Sequence, residues 1–152
     1  MEKYQLGIVL SGGGTKGIAH AGVLKFLEEQ DIHPEVLACC SAGSIVGTLY
    51  AVGKSPQEIL DFFKSVYFFN WRHFAFNKPG LVSSKIFRNY LTPIFDEMTI
   101  GDLKKEVRIV ATELVSGTQK IFGKDFNVID AIIASCSIPG VTTPYIVGEE
   151  MY

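Results

Sequence analysis

The sequence lacks the features that are typical of disulfide-rich, metal-binding, nucleic-acid-binding and membrane-spanning proteins. It contains three cysteines without a C-x-x-C pair and three scattered histidines, so neither a disulfide framework nor a metal site is predicted. The net charge is −2, and the 14 basic residues are interspersed with 16 acidic ones. This leaves no basic stripe for nucleic acid. No apolar run approaches the roughly 20 residues of a membrane-spanning helix, and the first residues do not resemble a signal peptide. We therefore expect a cytoplasmic protein with free thiols and without a metal or cofactor.

The length and the hydrophobic content indicate one folded domain over residues 1–152. Hydrophobic residues make up 47% of the 152 residues, which is enough for a core. Short apolar runs at 6–10 and 36–40 flank a segment with helical periodicity, which predicts a βαβ unit with parallel strands. Downstream, a capping box at Ser55–Glu58 predicts the start of another helix, and a strand at 107–112 with a hairpin partner at 119–122 is predicted. Asn127 is predicted to cap a helix that begins at residue 128. The fold class is therefore α/β, with a mainly parallel central sheet.

A glycine-rich turn, SGGGTKG, follows the first predicted strand and precedes the first helix. Glycines at such a turn let backbone amides approach an anion closely, and the helix dipole adds to the attraction. The candidate anion-binding or oxyanion-binding residues are Gly12, Gly13, Gly14, Lys16 and Gly17. The turn also fits a dinucleotide-binding pattern, but the second strand ends in Cys40 and Ser41 rather than in the acidic residue that holds a ribose. Tight packing of the turn alone is the remaining alternative.

The second constellation is Ser41, placed between the buried strand 36–40 and a helix of small residues that is predicted over 44–52. A nucleophile elbow needs a sharp strand-to-helix turn with small residues two positions before and after the serine. Gly43 satisfies the second requirement, whereas Cys39 stands where glycine is usual. The alternative is that Ser41 is an ordinary helix cap. Both turns are expected at the carboxyl edge of neighbouring parallel strands, where amides of Gly13, Gly14 and Ala42 would face an oxyanion formed by attack of Ser41.

A serine nucleophile also needs a base, and the sequence offers no ordinary triad. The only histidine after Ser41 is His73, which lies within an aromatic segment at 67–76. That segment lacks a regular period and is predicted to be a loop. It is expected either to contact acyl chains or a lipid surface, or to fold under the domain as a small satellite core.

Three stretches together, SGGGTKGIAHAGVL, CCSAGSIVGTLYA and IIASCSIPG, resemble the patatin-like phospholipase family over nearly the whole chain. The resemblance implies a three-layer α/β/α fold and a Ser-Asp dyad without histidine that hydrolyses acyl esters of lipids. It places the nucleophile at Ser41 and the oxyanion site in the glycine loop. This chain is then a patatin-like acyl hydrolase domain without a cofactor.

Three positions depart from the family pattern. Lys16 replaces an arginine, which keeps the charge but loses the planar fork. Cys39 replaces the first elbow glycine. The dyad aspartate is expected in an Asp-Gly motif just after a hairpin like 145–152, and no position of the sequence matches it.

The departures leave a second reading of the same fold. In that reading the domain is catalytically impaired and only binds an anion or an acyl ligand. With the sheet expected to be incomplete at its C-terminal end, an exposed sheet edge is also expected to allow association with another copy.

Overall fold

The computed structural model describes residues 6–74 and 84–152, with the backbone alone at 67–74 and 84–86. Its central sheet has the strand order β1–β2–β3–β4. The strands are β1 (Gly7–Leu10), β2 (Val36–Cys40), β3 (Glu106–Thr112) and β4 (Gln119–Ile121). β1, β2 and β3 are parallel, and β4 is antiparallel to β3. The predicted α/β class with a mainly parallel sheet is confirmed.

The helices of the described residues lie on one side of this sheet, with two of them directly against it. They are α1 (Ala19–Glu29), α2 (Ala42–Val52), α3 (Pro56–Phe74), α4 (Ser84–Phe95) and α5 (Val128–Cys136). The chain steps in one direction from β1 to β2 to β3, and right-handed crossovers then put the connecting helices on the same side. α2 contacts all three parallel strands, and α5 contacts β3.

The two faces of the sheet differ in burial, as this arrangement requires. Leu10, Leu37 and Ile109 point towards the helices and are almost fully buried. On the opposite face Val9 is 76% exposed and Ile121 is 56% exposed. The described residues thus provide the sheet and one helical layer of the predicted three-layer arrangement.

The end of the described chain forms the predicted strand, turn and strand. β5 (Ile146–Val147) pairs with β6 (Glu150–Met151) in an antiparallel hairpin. Gly148 has a φ of +62° at the turn, a value that glycine adopts without strain. The Tyr152 ring then packs edge-on against Phe122, which anchors the hairpin to the core.

Two predictions about helices need correction. The loop predicted at 67–76 is wrong for residues 67–74, which continue α3, while residues 75 and 76 lie outside the described ranges. Neither glycine nor proline occurs between Pro56 and Pro79, so nothing in the local chemistry ends the helix earlier. α2 begins at Ala42, two residues before the predicted start. In the described parts of the chain no helix has both the length and the apolar character needed to cross a membrane.

Candidate active site

Ser41 lies at the turn between β2 and α2 in a strained backbone conformation. Its φ is +51° and its ψ is −123°, a combination that costs a residue with a side chain about 1–3 kcal/mol. The Ser41 side chain makes no capping hydrogen bond to the amides of α2. The ordinary-cap alternative therefore loses its basis, and the conformation is that of a strained elbow.

Glycine is required at two positions where atoms of neighbouring segments crowd this elbow. A Cβ added to Gly43 would lie 1.9 Å from the carbonyl oxygen of Leu10, at the end of β1. A Cβ added to Gly17 would lie 2.4 Å from the Cβ of Ala42. Gly43 therefore allows α2 to start directly against β1, and Gly17 allows the glycine-rich segment to pack on the first residue of α2.

Cys39 fits at the elbow because the helix that packs against it, α2, has a glycine facing its sulfur. Its side chain is buried, and burial, with a smaller effect of Cys40, raises its pKa to about 12. A Cβ on Gly47 would lie 2.3 Å from the Cys39 sulfur. The missing side chain at Gly47, on the next turn of α2, thus accommodates the thiol that replaces the usual elbow glycine.

The glycine-rich segment lies beside Ser41, as the adjacency of β1 and β2 predicts. A Cβ built on Gly12 would lie 3.2 Å from the Ser41 Cβ and 3.8 Å from its Oγ. Residues Gly14–Ile18 form a single 3-10 turn that leads into α1. Gly14 has a φ of +54°, whereas Lys16 is exposed. The chain thus brings Gly12 and Ser41 into contact and leaves the Lys16 side chain at the surface.

Three residues that support this site carried no signal on their own in the sequence. His20 donates from Nε2 to the carbonyl oxygen of Ser11 at 2.9 Å, because a carbonyl can only accept. Ser135 accepts from the Ser41 amide at 2.7 Å, and the Ser44 hydroxyl donates to the Ser41 carbonyl at 2.6 Å. All three lie within the family-like stretches, but the role of each depends on contacts across the fold.

A cavity of about 240 Å³ opens beside Ser41. Gly14 and Ala42 line it next to the serine, and the segment 141–143 forms part of its wall. Most of the remaining lining is apolar and comes from α2, α3, α4, α5 and the segment that follows α5. These apolar residues are Ile45, Phe63, Phe87, Ile133, Ile138 and Val141. Ser41 thus forms part of the wall of a mainly hydrocarbon-lined space.

Cys136 is the thiol that shares this cavity. Burial raises its pKa to about 12, although hydrogen bonds with the hydroxyls of Ser44 and Ser41 act in the opposite direction. A thiol with so high a pKa carries very little thiolate at neutral pH. Cys136 is therefore a packing neighbour of the serine rather than a competing nucleophile.

No carboxylate and no histidine lines the cavity in the described part of the chain. His73 lies in α3, where the backbone alone is described. Asp130, in the first turn of α5, is engaged elsewhere: Arg88 and the Tyr145 hydroxyl both donate to its Oδ1, the latter at 2.6 Å. Within the same described ranges no group of acidic, histidine or cysteine side chains could hold a metal ion.

A family model and several known proteins match this sequence. The model of the family described as patatin-like phospholipase matches residues 8–152. A patatin-like phospholipase domain-containing protein of Caenorhabditis elegans is 27% identical over 124 residues, which are 76% of this chain and 9% of that protein. Lysophospholipase nte1 of Aspergillus fumigatus is 52% identical over 46 residues, which are 30% of this chain and 3% of that protein.

Solved structures show the same fold. The type III effector protein ExoU superposes with a TM-score of 0.61 at 20% identity, over 89% of this chain and 40% of that one. ExoU in its heterodimeric complex with SpcU from Pseudomonas aeruginosa gives a TM-score of 0.62 at 21% identity, over 90% and 36% of the two chains. The chain thus spans less than a tenth of these curated relatives and about two fifths or less of the ExoU chains. Because the family model covers almost all of its sequence, this chain belongs to the patatin-like phospholipase family.

Proposed function

We propose that this domain hydrolyses acyl esters of lipids with Ser41 as the nucleophile. The observation that carries the proposal is the strained conformation of Ser41 beside the glycine loop, in the wall of a mainly apolar cavity. The family and the lysophospholipase relatives support a lipid ester as the class of substrate.

In this proposal the Ser41 Oγ attacks the ester carbonyl carbon and forms a tetrahedral oxyanion. The first amides of a helix have no partner within the helix, so the Ala42 amide at the start of α2 is available to the oxyanion. The amides of Gly13 and Gly14 complete the proposed oxyanion hole. Collapse of this intermediate releases the alcohol, and water then hydrolyses the acyl-serine. The base that takes the Ser41 proton is, by family resemblance, an aspartate.

The cavity suggests which part of the substrate lies inside. Its lining is mainly apolar and includes no charged side chain among the described residues. Burial of hydrocarbon there is favourable by about 0.8 kcal/mol for each methylene group, whereas a charged head group would lose its hydration. We therefore assign the cavity to the acyl chain and the exposed side of the glycine loop, at Lys16, to the anionic part of the lipid.

A second candidate function is binding of an anion or acyl ligand without hydrolysis. It is favoured by one observation, the lack of a carboxylate among the described residues that line the cavity. A serine without a base is a poor nucleophile, because its hydroxyl must lose a proton as it attacks.

A fluorophosphonate probe separates the two functions, because it labels only an activated serine. We expect wild-type protein to gain one probe mass and Ser41→Ala to gain none. Ser65→Ala is the matched control, since the Ser65 hydroxyl donates only to Phe62 of its own helix. Nitrophenyl esters of long acyl chains should be hydrolysed faster than the acetate. Absence of labelling, together with saturable binding of a fatty acid, would favour the binding function instead.

The remaining expectations about partners and location belong to this proposal. The three cysteines are free, which suits a reducing cytoplasmic compartment. Contact of residues 67–76 with a lipid surface and association through a sheet edge are proposed on the sequence pattern and on the exposure of β1.

A further inference from the structure

We infer that Ser135 is a positioning residue, whose hydroxyl holds the backbone of Ser41 in the conformation that presents its Oγ. The inference rests on the proposed function for its catalytic consequence. Ser135 lies near the end of α5, 94 positions from Ser41 along the chain, and is 9% exposed. Its Oγ accepts a hydrogen bond from the Ser41 amide at 2.7 Å and donates one to the carbonyl oxygen of Val110 at 2.6 Å.

The hydrogen bond from the Ser41 amide to Ser135 restrains the backbone dihedral angles of Ser41. The amide of Ser41 belongs to the peptide plane before its Cα, and its carbonyl belongs to the plane after it. Because peptide groups are rigid planes, holding both fixes φ and ψ together. Ser135 holds the first plane, while the Ser44 hydroxyl and the Ser44 amide hold the second at 2.6 and 2.8 Å.

The Ser135 hydroxyl also ties the elbow to the sheet. Cys40 and Val110 form the last residue pair between β2 and β3. The Ser135 hydroxyl connects the Ser41 amide, which directly follows β2, to the Val110 carbonyl of β3. The buried Ser135 hydroxyl pairs with a backbone donor and a backbone acceptor at once, so neither group is left unpaired. The chain can therefore turn away from the sheet at Ser41 while the Ser41 amide and the Val110 carbonyl keep hydrogen-bond partners.

The hydrogen bond to Ser135 determines which backbone amides remain available to an oxyanion. The Ser41 amide is already engaged with Ser135 and is not free to stabilise an oxyanion. The oxyanion hole then depends on the Ala42 amide and the glycine loop, and the Ser41 Oγ must point to the carbonyl carbon of an ester whose oxygen lies in that hole. Ser135 acts by orienting the Ser41 Oγ and does not touch the substrate carbonyl itself.

The test compares Ser135→Ala and Ser135→Thr with wild-type protein in two measurements. The first is the rate of fluorophosphonate labelling of Ser41. The second is hydrogen exchange of the ¹⁵N-labelled Ser41 amide, which does not require activity. We expect Ser135→Ala to slow labelling at least about tenfold, as loss of one buried hydrogen bond implies, and to speed exchange of the Ser41 amide. Ser135→Thr keeps the hydroxyl and should recover both.

Ser65→Ala is the control for removing a helix hydroxyl and should leave both measurements unchanged. If Ser135→Ala does not fold, Ser135→Cys takes its place, since a thiol is a weaker hydrogen-bond partner and should give an intermediate effect. Unchanged exchange of the Ser41 amide, or unchanged labelling beside a labelled wild type, would overturn the inference. If wild-type protein itself is not labelled, the proposed hydrolase function fails, and amide exchange alone decides the role of Ser135.

Discussion

Ser41 combines a strained conformation with hydrogen bonds on both of its peptide groups. The strain of a side chain at φ +51° costs about 1–3 kcal/mol. Each buried hydrogen bond contributes on the order of 1 kcal/mol, so the bonds to Ser135 and Ser44 are of the right size to offset it. The elbow is thus a local conformation that depends on distant residues.

The tightest contact at the elbow gives a prediction about Gly43. Gly43→Ala would place a Cβ against the Leu10 carbonyl, which is backbone and cannot rotate away. We expect it to lower the free energy of unfolding by at least about 2 kcal/mol and to abolish labelling of Ser41, since α2 must shift.

Gly22 is the matched control for this substitution. It lies within α1, and nothing stands within 4 Å of the position of its Cβ. Gly22→Ala should raise the free energy of unfolding by about 0.5–1 kcal/mol, because alanine is the better helix former. Urea unfolding of both variants is the measurement. Equal stability of Gly43→Ala and wild-type protein would contradict the contact with Leu10.

At the scale of elements, local sequence patterns predict most of the fold. The apolar run 36–40 predicted β2 with its bounds, and the capping box from Ser55 to Glu58 predicted the start of α3. Asn127 caps α5 as predicted, since its side chain accepts from the amides of Ile129 and Asp130. These features depend on neighbouring residues, so one sequence is enough to recognise them.

Contacts between distant elements could not be predicted in this way. Arg88 of α4, Asp130 of α5 and Tyr145 before β5 form one half-buried cluster. Burial, assisted by Asp130, raises the pKa of Tyr145 to about 12. Nothing in the spacing of these residues links them, because the cluster exists only once the helices have packed. The same holds for Ser135 at the elbow.

The packing of α2 on β2 gives the second prediction. Gly47→Ala forces a Cβ towards the Cys39 sulfur and should destabilise the protein by about 1–3 kcal/mol. Cys39→Ala removes the sulfur and makes room for the added methyl group. The double variant should therefore be more stable than the sum of the single effects implies, by about 1 kcal/mol.

The control pairs Gly47→Ala with Cys40→Ala instead. Cys40 follows Cys39 on β2 and points to the other face of the sheet, away from α2. Thermal and urea unfolding of the four proteins in each cycle give the coupling energies. Coupling with Cys40 as large as that with Cys39 would show that Gly47 does not make room for the Cys39 thiol.

At the scale of the whole molecule, the sheet is closed by helices on one face and open along β1. In the described residues β1 pairs with β2 alone, and Val9 near its end is 76% exposed. An open strand edge with an exposed apolar residue offers a template for pairing with a second chain. We predict weak self-association through this edge, and a lysine placed there should suppress it.

Val9→Lys tests this edge, and Val23→Lys is its control. Val23 is 47% exposed on α1, away from the strands, so the same change in charge and side chain occurs at a site unrelated to strand pairing. Sedimentation velocity over a range of concentrations should show association for wild-type protein and Val23→Lys, and a monomer for Val9→Lys. Fluorophosphonate labelling of Ser41 should be the same in all three, because Val9 lies on the face opposite the cavity. Association that both lysine variants weaken equally would point to general charge repulsion, and β1 would then have no part in it.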